Sequence, residues 1–278
     1  MQEILSPDKI LDKVSNAYVG KARASSKKLL VLSFLAGAFI AMAAQGSTFA
    51  SFNLLANKET LGLGKLIQGL TFTPGLIFVL IAGAELFTGN KLMIVSVVDK
   101  KLKLKELLRA WGIVYLGNFL GSVFVAFLLL KSGQWNNADA LVGARTILIA
   151  NGKVNLGFSK AFVLGILCNW LVCLAVWMSF GSDSQVGKML SAFFPVTLFV
   201  LSGFEHSIAN MYYVPAGILA KSIPEYVAAT GLDQAALSSL NWGGFFTQNL
   251  IPVTLGNIVG GGLFVAIAYW LAFRNKGN

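Results

Sequence analysis

Glu205 and His206 stand side by side in GFEHSIAN, residues 203–210, a carboxylate next to the chain's one histidine in a strongly apolar stretch. An imidazole changes charge near neutral pH and can hold or pass a proton. A carboxylate in the same place can accept hydrogen bonds. A second stretch, GAELFTGN at 83–90, has the same outline, with Gly first, Glu third and Asn eighth. Glu85 and Asn90 therefore echo Glu205 and Asn210, and only the second copy carries the ring.

The surroundings say what must position these residues. Of 278 residues, 56% are hydrophobic and 12% are charged, where a soluble domain carries about 25% charge. Several apolar stretches approach or exceed the roughly 20 residues that cross a bilayer as a helix. The expected class is an all-α, polytopic membrane protein. The net charge of +10 belongs to its loops, and no nucleic-acid partner is expected. The first 28 residues are polar and basic, without the apolar core of a cleavable signal. Cys168 and Cys173, five residues apart in one apolar segment, point in different directions on a helix and read as buried structural thiols.

Six crossings are expected, near 29–50, 65–98, 110–131, 160–180, 189–219 and 250–273. They follow an amphipathic basic segment, 1–28, expected on the membrane surface, and precede a short tail, 274–278. Fourteen of the 22 Lys and Arg fall in the segments on the side of the two termini and seven in the alternate loops. This excess predicts cytoplasmic termini. The second crossing is too long for one helix. Its 34 positions would run about 50 Å at 1.5 Å per residue, against about 30 Å of hydrocarbon. Pro74, Gly75, Gly83, Gly89 and Asn90 punctuate it, as Pro195, Gly203, Asn210, Pro215 and Gly217 punctuate the fifth. Non-helical backbone at membrane depth requires surrounding protein or a water-filled cavity, so two broken crossings imply a lined passage.

A further echo, LGNFLG at 116–121 and LGNIVG at 255–260, falls at equivalent places in two halves of three crossings each. Three is odd, so the second half is expected to run inverted, with a site where the broken crossings meet. Glu85, Asn90, Glu205 and Asn210 are then structural residues of the breaks. Each carboxylate is expected to accept unpaired backbone N–H groups rather than stand bare, at a cost of about 3 kcal/mol or more at mid-bilayer. His206 is the candidate chemical group, although a lone histidine in a span can also be a packed residue bonded to a neighbour's hydroxyl.

With GAELFTGN, NWLVCLAVWMSF, SGFEHSIANMYY and NLIPVTLGNIVGG on the page, the chain resembles the formate/nitrite transporter family over essentially its whole length. The resemblance implies an aquaporin-like fold of six helices, an inverted 3+3 repeat with the second and fifth broken, assembled as a homopentamer with a pore in each protomer of the cytoplasmic membrane. It implies His206 at the centre of the pathway, Thr88 bonded to it, Asn169 along the pore and Lys153 as an anion-attracting vestibule residue. It also implies constrictions at Phe72, Leu76, Leu86, Phe87 and Phe199. The implied partners are a small anion (formate first, with nitrite or hydrosulfide as alternatives), protons and membrane lipid. Each residue also has an ordinary reading: packing for the apolar set, a solvated charge for Lys153, a bond to its own helix for Thr88, helix–helix contact for Asn169. Lys91 departs from the commonest formate pattern and is expected either to snorkel or to add charge to the inner pore.

Other classes fare worse. Aquaporin signatures are absent, one histidine cannot ligate haem twice, and no HExxH, GxSxG or carboxylate-rich metal cluster occurs. No enzyme activity, catalytic residue, metal or cofactor is expected.

Overall fold

The computed structural model describes residues 5–274, and the ends at 1–4 and 275–278, including Lys276, lie outside the described residues. Helix α1 (Pro7–Arg23) precedes α2 (Ser26–Ser51). The second crossing is α3 (Leu61–Ala82) followed, after a break, by α4 (Gly89–Val98). α5 (Leu104–Ser132), α6 (Leu141–Val154) and α7 (Phe158–Phe180) come next. The fifth crossing is α8 (Gln185–Leu201) and α9 (Ser207–Ala220), again with a break between them. α10 (Pro224–Thr230) and the long α11 (Trp242–Phe273) complete the chain. Five of these helices are long and apolar enough to span a membrane, and α8 with α9 makes the remaining crossing.

The breaks do not fall at the prolines. Pro195 and Pro215 sit inside α8 and α9, and a single turn residue, Thr73, interrupts α3 before Pro74. Both true breaks begin at a glycine in the left-handed region, Gly83 at φ 80° and Gly203 at φ 71°, a conformation that costs a residue with a Cβ more than it costs glycine.

The two halves pack through equivalent close approaches. A Cβ built on Gly121 of α5 would lie 2.0 Å from the carbonyl oxygen of Phe34, and one on Gly260 of α11 would lie 2.2 Å from that of Ile166. The α2–α5 and α7–α11 pairs therefore touch backbone to backbone, as small residues allow in membranes.

α1 differs from its expected place. Its apolar side, Ile10, Leu11, Val14 and Tyr18, is buried against the bundle rather than lying on lipid. α6, unforeseen as a separate element, also packs on protein, burying Val142, Ile147 and Ala150.

Gly260→Leu is expected to cost about 3 kcal/mol through forced backbone displacement. Gly112→Ala, with open space around it, is expected to be neutral or to stabilise by about 0.5–1 kcal/mol. Thermal unfolding of the two variants in detergent checks the contrast.

Candidate anion pathway

Where a helix stops inside a membrane, its terminal N–H and C=O groups need partners. At the first break, Asn118 Oδ1 accepts from the backbone N of Phe87 at 2.9 Å, while its Nδ2 donates to the carbonyls of Ser33 (2.8 Å) and Glu85 (2.9 Å). At the second, Asn257 Oδ1 accepts from the backbone N of Ser207 at 2.9 Å, and its Nδ2 donates to the carbonyls of Gly165 (2.8 Å) and Glu205 (3.0 Å). The N–H of Glu85 bonds Leu32 O and that of Glu205 bonds Leu164 O, each at 3.2 Å. These asparagines are the central residues of LGNFLG and LGNIVG. The repeat thus marks the residues that close the breaks, a role that sequence reasoning did not assign to them.

The carboxylates therefore do not have the role expected of them. Their partners in this structure are side chains. Glu85 accepts from Asn90 Nδ2 at 3.0 Å and pairs with Lys21 Nζ at 3.0 Å. Glu205 accepts from Asn210 Nδ2 at 2.6 Å and pairs with Lys153 Nζ at 2.8 Å. Asn249 also donates to it, at 3.3 Å. The backbone donors are met by the asparagines, which leaves the carboxylates free to neutralise lysines. Lys21, on α1, was missed because nothing in its basic neighbourhood distinguishes it. Asn249 was likewise invisible in a run of polar residues.

The breaks meet at His206. Its Nε2 lies 2.9 Å from Thr88 Oγ1, and its Nδ1 accepts from the backbone N of Ala209 at 3.1 Å. An Nδ1 that accepts an N–H carries no proton of its own, so the neutral ring holds its hydrogen on Nε2, facing Thr88. The Thr88 hydroxyl then accepts from the ring and keeps its own hydrogen for another acceptor. Phe199 stacks on the imidazole at 5.8 Å between centroids. Asn169 reaches the same place from α7: its Nδ2 donates to the carbonyls of Asn257 (2.6 Å) and Thr88 (3.3 Å). Cys173, read only as a structural thiol, also donates to Thr88 O at 3.3 Å.

Two cavities approach this point from opposite sides. One, of about 300 Å³, is lined by Lys153, Glu205, His206, Phe72 and Phe199, with α6 at its mouth. The other, of about 310 Å³, is lined by Tyr18 and Lys21 of α1 together with Glu85, Leu76 and Leu86. Between them is a gap of only about 10 Å³, walled by Phe72, Leu76, Leu86, Phe199 and His206, barely the room that one water requires. Phe87 is the exception among the expected constriction residues. Along the extended stretch before α4, Leu86 faces the gap, and the Phe87 ring packs on Trp111 and Tyr115 instead. Lys91 neither snorkels nor lines a cavity. It is fully buried, with Nζ 3.1 Å from the Phe87 centroid and 3.3 Å from that of Trp111, a cation–π arrangement.

The sequence matches the formate/nitrite transporter family pattern over residues 8–271. The chain belongs to the formate/nitrite transporter family. Among relatives, it is 41% identical to a probable formate transporter of Methanothermobacter thermautotrophicus, over 92% of each chain. It is 38% identical to the formate channel FocA of Escherichia coli K12, over 99% of this chain and 97% of that one. Among solved structures, a pentameric formate channel with formate bound matches with a TM-score of 0.80 at 41% identity, covering 90% of this chain and 98% of the other. A channel described as an FNT family ion channel matches with the same TM-score at 29% identity, over 95% and 98%. The chain is accordingly a multi-pass membrane protein of a channel and transporter family.

In this family member, α1 closes one side of the second cavity and is tied down at Asp99. That carboxylate accepts from Trp270 Nε1 at 2.7 Å and from Ser15, and it pairs with Arg274. Burial opposes ionisation of Asp99, but the hydrogen bonds from Ser15 and Trp270 and the charges of Arg274 and Lys101 outweigh it and hold the carboxyl below its ordinary value. With the folded value depressed, the stabilisation is complete above the unfolded value, about 3.9, and is lost as pH falls through the folded one. Asp99→Asn at neutral pH is expected to weaken α1 docking by about 1–3 kcal/mol, the cost of leaving buried partners unmet. Faster amide exchange across Pro7–Arg23, relative to α2, checks it.

Proposed function

We propose that this chain conducts small monovalent weak-acid anions across the cytoplasmic membrane, formate first, with proton-linked passage past His206. In this reading it works as a homopentamer of inverted 3+3 protomers with cytoplasmic termini, so the α1 cavity is the inner vestibule and the α6 cavity the outer one. The observation that carries the proposal is the Thr88 Oγ1···His206 Nε2 contact at 2.9 Å, which joins both broken spans at the apolar gap that His206 lines. The relatives named for formate support the substrate choice. The pentamer is supported by the neighbour so described.

The chemistry follows from desolvation. A bare anion in the gap loses its water with little to replace it, while a protonated weak acid crosses as a neutral molecule. In this reading the Thr88 hydroxyl hydrogen, which the neutral ring leaves unused, is the donor for a small acceptor that reaches His206 at the gap. To act as a proton donor, His206 must first take a proton at Nδ1, and that displaces the Ala209 N–H. We therefore assign the accompanying proton to water in the vestibules, and to the His206–Thr88 pair the hydrogen bond that receives the anion before it is neutralised. Phe72 with Phe199 on one side and Leu76 with Leu86 on the other keep the gap dry. Asn169 holds the Thr88 backbone, Lys153 balances Glu205, and Glu85, Asn90, Glu205 and Asn210 hold the breaks. Nitrite and hydrosulfide, anions of comparable size and charge, are the alternative substrates.

Formate flux into proteoliposomes is expected to rise as pH falls. His206→Phe and Thr88→Val are each expected to reduce it by about tenfold to a hundredfold, the worth of one hydrogen bond to a charged group. Stopped-flow measurement at two pH values, with nitrite and hydrosulfide in parallel, decides among the substrates. Undiminished proton-linked flux through His206→Phe would remove the histidine from the pathway.

A further inference from the structure

In the outer cavity the lysine that the family resemblance singles out is already neutralised. Lys153 Nζ is 2.8 Å from Glu205 Oε1 and 5.3 Å from the centroid of the Tyr213 ring. An anion approaching Lys153 meets a closed ion pair, whose field falls off much faster than that of a lone charge. Two other cations line the same cavity of about 300 Å³, Lys65 from α3 and Arg145 from α6. Both are half-buried. Lys65 makes no hydrogen bond or ion pair among the described residues. Arg145 makes one hydrogen bond, from Nε to the carbonyl of Phe52 at 3.2 Å, which leaves both terminal guanidinium nitrogens without a partner among the described residues.

The other cavity does not repeat this surplus. There Lys21 is paired with Glu85 and Lys13 with Asp183, and only Lys188 lines it without an ion-pair partner among the described residues. The mouths thus share the lysine–glutamate pair at the break but differ in what stands outside it. Uncompensated positive charge on low-dielectric walls concentrates anions and speeds their capture by factors of about 10–1,000. It acts within a Debye length of about 8 Å at physiological salt.

We infer that Lys65 and Arg145 form an anion-capture subsite in the α6 cavity, which holds a small monovalent carboxylate or similar oxyanion before it reaches the Lys153–Glu205 pair and the gap. This rests on the anion-pathway reading and adds to it the groups that set apparent affinity. A planar guanidinium can take both oxygens of a carboxylate, and a lysine supplies a point charge beside it. Capture here leaves the Lys153–Glu205 pair intact, so the break does not have to open to attract the anion.

The test measures concentration-dependent formate flux in proteoliposomes at low and high ionic strength. In the wild type, raising ionic strength is expected to increase the half-saturating concentration. The double variant Lys65→Met, Arg145→Met is expected to raise that concentration about tenfold at low ionic strength and to lose most of the salt dependence. The single variants Lys65→Gln and Arg145→Gln are each expected to raise it about threefold, which keeps the subsite testable if the double variant folds poorly. Lys65→Arg with Arg145→Lys is expected to restore wild-type behaviour. Lys58→Met, which removes an exposed lysine outside the cavity, is expected to change neither quantity. Wild-type half-saturation and wild-type salt dependence in the double variant would overturn the subsite while leaving the pathway in place. A wild-type protein that passes no anion would overturn the pathway, and the subsite with it.

Discussion

A peptide group without a hydrogen bond is what this architecture must avoid, and two side chains largely accomplish it. Asn118 and Asn257 each accept one N–H and donate to two carbonyls at the point where a span stops being helical. Water is scarce at that depth, and an unmet backbone group costs several kcal/mol. With those bonds made, the chain can leave helical geometry, and the extended residues between Gly83 and Thr88 and between Gly203 and His206 can present side chains to a common centre. The Thr88–His206 contact and the small apolar gap both depend on that permission.

The two halves spend the same parts differently. Each break has a left-handed glycine, a glutamate bonded to an asparagine five residues on, and a lysine brought in from another element. In one half that lysine is Lys21 of the terminal helix, and in the other it is Lys153 of α6. The chain's one histidine stands at the second break, and among the described residues only the cavity beside it carries cations from two helices without an ion-pair partner. This duplicated bonding is the arrangement expected of the inverted repeat read from the sequence.

Much of the site was legible. The span count, the two interruptions and the recurrence of Glu85 and Asn90 as Glu205 and Asn210 follow from hydropathy and the GxExxxxN spacing, whereas the bonds within each pair came from the structure. His206 stood out because a titratable group among apolar residues needs a reason to be there. The errors share one cause. Prolines were counted with the glycines as breaking residues, the carboxylates as acceptors of backbone N–H, Phe87 as a wall of the gap, and α1 as lying on lipid. Each was a statement about what a residue touches, and local pattern supplies candidates for contact without ranking them.

Sequence alone determined that this chain is a polytopic helical membrane protein with two discontinuous spans. Length, apolarity and the placement of glycine act locally, and bilayer thickness turns them directly into topology. Tertiary structure decided which neighbour satisfies each polar group. Asn118 was chosen over Glu85 for a backbone N–H, Glu205 took the charge of Lys153, and Lys91 was packed against two rings. Such choices are settled by competition among groups far apart in the chain, at distances of about 3 Å that only packing can set.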